Sequence, residues 1–213
     1  FTAGAYITTD RADNQITGFN PGAMKYQSGY KFNSASPRDS IALIAPGNLQ
    51  DMAEYAKACK NKGIDYICDP GQSLTAWEKE SLKEWIEGST VLISNDYELE
   101  MVMKMTGMNK KELLRLTKTI ITTLGEKGSL ISTGESDIQI PQAKVSDVVD
   151  PTGAGDAFRA GLLKGIAMGK DLETGAKMGA VAAVYAIEKY GTQEHHYTYE
   201  EFNKRYRSNF GEM

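Results

Sequence analysis

Several residue types are scarce in this sequence, and each scarcity excludes something. There are two cysteines, Cys59 and Cys68, on an expected helix and at a strand end, with no CxxC pair. A disulfide framework is not expected, and a reduced, cytoplasmic protein with inert thiols is. The two histidines, His195 and His196, are adjacent. Their side chains point apart and no third ligand accompanies them, so no metal site is expected there. No apolar run is long enough to span a bilayer, so a membrane partner is not expected. Excess positive charge is missing too: 24 Lys and Arg face 28 Asp and Glu, a net charge of −4. Nucleic acid as a partner would need a basic surface, and the cluster "NKRYR" at 203–207 reads as the solvated face of a terminal helix. No repeat of fixed period occurs. An initiator Met is also absent, and "FTAGAYITTD" opens as though partway through a strand.

What is present is ordinary globular material, 41% hydrophobic and 24% charged over 213 residues, enough for one sizeable core. "AYITTD" and "QITGFN" around polar "RADN" read as a hairpin. From about residue 40 strands and helices alternate. "SIALIAP" is expected as a short buried strand, "NLQDMAEYAKACKNKG" as an amphipathic helix stopped by Gly63, and "IDYICDP" as a strand. Capping boxes are expected at Thr75 with Glu78, Asn109 with Glu112, and Thr198 with Glu201. "TVLIS" and "KTIITTL" are strands, two short strands flank Gly134, and 155–168 and 171–189 are helices. This alternation argues for a parallel sheet with helices on both faces, the hairpin lying outside it.

The most informative stretch is "DVVDPTGAGDAFRAG" at 147–161, where an expected strand, "KVSDVV", hands over to a helix through two close glycines. A helix N-terminus offers unpaired amides and a positive dipole end, and glycines let an anion approach them. Asp156 would gain nothing beside bound phosphates unless it takes a proton from an attacking hydroxyl. The plainer reading is a tight turn with Asp156 capping the helix, and an isolated G-x-G-D supports it equally well. A dinucleotide fingerprint fails because Phe158 stands where Gly or Ala is needed. A P-loop fails because "GIAMGKD" at 165–171 is one residue short and ends in Asp.

With "DPTGAGDAF", "NDYE" at 95–98 and "TLGEKG" at 123–128 in that order, the chain resembles the ribokinase/PfkB-type family of carbohydrate and nucleoside kinases. "DNQITGFNPGAM", "DPGQSL" at 69–74 and "YGTQEHHYTYEEF" at 190–202 look like its bacterial adenosine kinase-like members. The resemblance implies a three-layer α/β/α ribokinase-like fold with a small β lid. Residues 1–36 would be part of the lid hairpin and its return, and 37–213 the C-terminal portion of the kinase domain.

It also implies ATP and Mg²⁺ as cofactors and site residues by position. Asp156 would be the catalytic base, and the backbone of Gly153, Ala154 and Gly155 the anion hole. Asn95 and Glu98 would position Mg²⁺ and the triphosphate through waters, although Glu98 alone reads as a solvated helix-face acid. Thr123, Gly125 and Gly128 would lie against the nucleotide, or form an ordinary turn. Gly191, Thr192 and Gln193 would line the adenine pocket. Asp150 and Thr152 match positions that bind a monovalent cation such as K⁺, while Asp150 before Pro also suits a turn.

Nothing matches the family's early acceptor-gripping aspartate and glycine pair, so the resemblance places roughly 80 to 100 residues upstream of Phe1. The expected activity is transfer of the γ-phosphoryl group to a nucleoside 5′-hydroxyl, adenosine first. An unphosphorylated sugar such as ribose or fructose is the alternative acceptor, and a non-catalytic nucleotide-binding fragment the alternative class. Lid hairpins of such proteins can pair, which suggests a homodimer.

Overall fold

The computed structural model describes residues 1–9 and 15–213, so the expected "RADN" turn lies outside the described residues. Strands β1 (Gly4–Thr9) and β2 (Gln15–Asn20) form a separate antiparallel pair, in register from Gly4 opposite Asn20 to Thr9 opposite Gln15. The main sheet takes its strands in chain order: β3 (Ile41–Ile44), β4 (Asp65–Cys68), β5 (Val91–Asn95), β6 (Thr119–Thr123), β7 (Ser129–Ser132) and β8 (Asp137–Ile140). The first four are parallel. The fully parallel sheet expected from the alternation is corrected at its end, where β7 and β8 run antiparallel. No helix separates these strands, and short turns can join only antiparallel neighbours.

Growth of the parallel part in one direction puts its connecting helices on one face, because crossovers share a hand. Helices α1 (Leu49–Lys62), α2 (Lys79–Ile86), α3 (Asp96–Thr106) and α4 (Lys110–Leu113) lie there. Their Met52, Ala56, Trp85, Val102 and Leu113 pack with Tyr66, Cys68, Leu92 and Ile120 of the sheet. Intervening strand residues Ile67, Val91, Ile93 and Ile121 face the other way, the period-two alternation of a strand buried on both sides. They meet Phe158 and Leu162 of α5 (Ala154–Ala167) and Ala176 of α6 (Leu172–Ile187). Helix α7 (Tyr199–Phe210) packs outside α6 through Phe202 and Tyr206.

Local signals hold where side chains close the helix ends. Asn109 with Glu112 and Thr198 with Glu201 form reciprocal capping boxes, and Gly63 ends α1 at φ +68°. The Thr75–Glu78 box does not form. Residues Gly71–Ala76 are a 3₁₀ segment instead, and α2 starts after Glu78 without a side-chain cap. Trp77 there stacks on Trp85, and this burial outweighs the local capping signal. The "SIALIAP" strand is only half-buried, since β3 lies at the edge of the described sheet. Residues 144–150 are not a strand: Lys144 N–H donates to Asn209, Ser146 N–H to Glu188, and the amides of Val149 and Asp150 to Ile187 O. The loop is anchored on α6 and α7 rather than on a neighbouring strand.

Candidate active site

The carboxyl ends of the parallel strands carry the polar residues, as open α/β sheets commonly arrange. Asp69 follows β4 directly, and its amide bonds Ile44 O at 2.9 Å. Asn95 ends β5 and stands in register with Thr123 at the end of β6, which pairs onward with Ser129. Two of the family's motifs thus become neighbours through strand register alone.

The N-x-x-E motif has a structural duty here. Asn95 Oδ1 accepts from Glu98 N–H at 2.7 Å and Glu98 Oε2 from Asn95 N–H at 2.9 Å, a capping box that starts α3. This third box has the same three-residue spacing as those at Asn109 and Thr198. It fixes Glu98, half-buried, at the rim of the sheet end. The two glycines of the T-x-G-x-x-G turn differ. A Cβ on Gly128 would strike Ile140 O at 2.0 Å, whereas nothing lies within 4 Å of one on Gly125. Gly128 serves backbone packing, and the open face belongs to Gly125.

The third motif forms the tip of α5. Gly153 is its N-cap at φ +87°, a conformation that a side chain would strain, and no side chain caps the helix. Ala154 N–H turns back to Pro151 O at 3.2 Å and Ala157 N–H bonds Gly153 O at 3.0 Å. Between them the amides of Gly155 and Asp156 sit at the open end of the helix. Asp156 is exposed in this first turn, so its carboxylate faces solvent and not the core.

Asp150 joins this tip to the 191–193 loop. Its Oδ1 accepts from Thr152 N–H at 2.9 Å and its Oδ2 from Gly191 N–H at 3.0 Å, and these amides hold its carboxyl below the ordinary range. Thr192 packs on Gly153, 3.2 Å from where a Cβ would stand, and Gln193 is exposed beside it. His195 stacks with Tyr197, and no cluster of three or more His, Cys, Asp or Glu able to hold a metal occurs among the described residues. The phosphate-cradle reading fits: an uncapped helix end opens beside an exposed acid. A metal would have to arrive on a ligand and keep much of its water, with Glu98 as an outer carboxylate.

Two residues of this region, Asp69 of "DPGQSL" and Arg159 of "GDAFRAG", carry no role in the motif reading. Asp69, 2% exposed, is held by Arg159 of α5, with Nη2 donating to Oδ1 at 2.8 Å and Nε facing Oδ2. Burial pushes the Asp69 carboxyl up to about 6 despite Arg159, and the charges of Glu98 and Asp156 add to the rise. Asp69 therefore sits between the α3 and α5 halves of the site. The available signal was Arg159 one helical turn after Asp156.

Comparison with known proteins bears on the family and the fold. Residues 2–198 match the pattern of the pfkB family carbohydrate kinases. The chain belongs to the pfkB family. A nucleoside kinase of Methanocaldococcus jannaschii is 36% identical over 192 residues, 90% of this chain and 63% of that relative. Among solved structures, Burkholderia thailandensis nucleoside kinase in complex with inosine superposes with TM-score 0.93 at 36% identity, covering 99% of this chain and 70% of that one. The same enzyme in complex with ADP-inosine gives 0.92 over 99% of this chain and 66% of that one. This pfkB-family chain thus spans about two thirds of the length of the relatives it matches. Its fold is the expected α/β ribokinase-like one with a small two-stranded sheet. The expectation of adenosine kinase-like relatives is met at the coarser level of nucleoside kinases. No helix among the described residues is long and apolar enough to cross a membrane.

Proposed function

We propose that this chain carries the phosphoryl-transfer half of an ATP-dependent nucleoside kinase, which transfers the γ-phosphoryl group to a nucleoside 5′-hydroxyl. The observation that carries the reading is the tip of α5, where an exposed Asp156 adjoins uncapped amides at a glycine-made helix start. Asp156 accepts the proton of the attacking hydroxyl, and the backbone of Gly153, Ala154 and Gly155 holds the transferred group as charge develops on it, with the Gly155 amide the open donor and Ala154 N–H already bonded to Pro151 O. Asn95 and Glu98 would hold Mg²⁺ through waters, and when bound it would supply charge neutralisation along the triphosphate. Thr123, Gly125 and Gly128 shape the nucleotide face, with Gly125 making the close approach. Gly191, Thr192 and Gln193 border the base. Asp150 and Thr152 are the residues for a K⁺ ion, which would settle the loop that Asp150 already ties to Gly191.

Adenosine is the acceptor proposed from the sequence. Inosine, bound by the Burkholderia relative, supports a purine nucleoside more broadly. ADP release with ATP and Mg²⁺, measured against adenosine, inosine, ribose and fructose, tests the reading. Adenosine-dependent release is expected. Release only with a sugar would move the acceptor class, and ATP binding without any product would leave a nucleotide-binding module.

A further inference from the structure

The Asp69 and Arg159 side chains are only 3% and 12% exposed. An ion pair this deep adds little stability, because desolvation offsets the attraction. Its geometry suggests another use. Nη2 donates to Asp69 Oδ1 at 2.8 Å and Nε stands against Oδ2 without completing a hydrogen bond, so one edge of the guanidinium is tied to the carboxylate. The remaining nitrogen, Nη1, lies against Gly155: a Cβ built there would fall 2.5 Å from it. Among the described residues Nη1 donates to no protein acceptor, although it carries two N–H groups. Any side chain at 155 would push the guanidinium off the tip, which gives this glycine a role separate from backbone conformation.

We propose that Arg159 is a phosphate-binding residue and Asp69 its positioning residue. The carboxylate holds the fork so that Nη1 adds a charged donor to the α5 amides, where it meets oxygens of the terminal phosphoryl group of a nucleoside triphosphate. This rests on the kinase reading and deepens it. A lysine would serve less well, since its single ammonium nitrogen cannot hold Asp69 and also present a second nitrogen at the tip.

Calorimetric titration of the full chain with Mg²⁺ and either a non-hydrolysable ATP analogue or ADP tests the role. Arg159→Gln is expected to weaken the analogue about tenfold or more while ADP stays within about threefold, the scale of one charge-assisted hydrogen bond. Arg159→Lys should show the same selectivity to a smaller degree. Asp69→Asn should lose the preference for the triphosphate, and Asp69→Glu should restore part of it. Thermal melts identify folded variants, and if Arg159→Gln does not fold, Arg159→Lys decides. Equal losses for both nucleotides, or none, in folded variants overturn the assignment and leave the kinase reading standing. A wild-type chain that binds neither nucleotide overturns both.

Discussion

Asp156 concentrates the chemistry proposed here in one oxygen pair. Asp156→Asn keeps the helix start and removes the base. We expect product formation to fall by about 10²–10⁴-fold while ATP affinity, read by titration, changes by less than about threefold. Unaltered turnover in that variant would remove Asp156 from the mechanism. A different carboxylate reports on stability. Glu188 accepts from both terminal nitrogens of Arg205 and from Ser146, and Arg205 above all brings its carboxyl from 4.5 down to about 2. Depression of an acid in the folded state stabilises above the unfolded value. The gain is therefore complete above about pH 4.5 and lost as pH falls toward 2. Glu188→Gln should cost roughly 1–2 kcal/mol at neutral pH after allowance for solvent screening, and the gap from wild type should narrow by pH 3 in urea titrations. Asp69 runs the opposite way. Raised from 3.8 to about 6, its contribution is greatest below 3.8 and declines as pH rises through 6, so its ionised form at neutral pH is a cost that the site tolerates.

Among the elements, α5 matters most, and its placement depends on glycines facing glycines. A Cβ on Gly161 would come within 2.7 Å of Gly179 Cα, and one on Gly165 within 2.6 Å of Gly175 Cα. The two helices therefore touch backbone to backbone, which fixes the height of the α5 tip over the sheet. Helix α6 in turn anchors the loop before α5 through Ile187 O. Gly161→Ala should destabilise by about 1–3 kcal/mol through overpacking, seen as a lowered Tm. Gly134→Ala, with nothing within 4 Å and an ordinary φ, should stay within about 0.5 kcal/mol. Similar shifts for both would contradict the packing account. The paired spacing of four, 161 to 165 and 175 to 179, was legible in the sequence. Its partner across the interface was not, because periodicity does not say which helix meets which.

At the scale of the whole molecule, the β1–β2 pair stands apart from the six-stranded sheet and shows Tyr6 and Ile16 at 74% and 79% exposure on one face. We propose residues 1–36 as part of a lid and this face as its pairing surface in a homodimer, since exposed apolar strand faces favour association. Sedimentation should show dimers that Ile16→Glu converts to monomers. A wild-type monomer at high concentration would remove the proposal. The return of this segment to the core is held by Asn48, which caps α1 and also donates to Met24 O and Lys25 O.

By itself the sequence determined the kinds and order of the elements, because hydrophobic period, caps and glycine stops act over a few residues. It also determined the three motifs, whose residue types carry their chemistry wherever they stand. Tertiary structure decided the rest. It turned β7 and β8 antiparallel, replaced the Thr75 cap by a packed tryptophan pair, and made 144–150 a loop, since each outcome depends on a partner distant in the chain. The Asp69–Arg159 pair, 90 residues apart, belongs to the same class. Burial and long-range pairing depend on which surfaces meet, and a local pattern does not encode that.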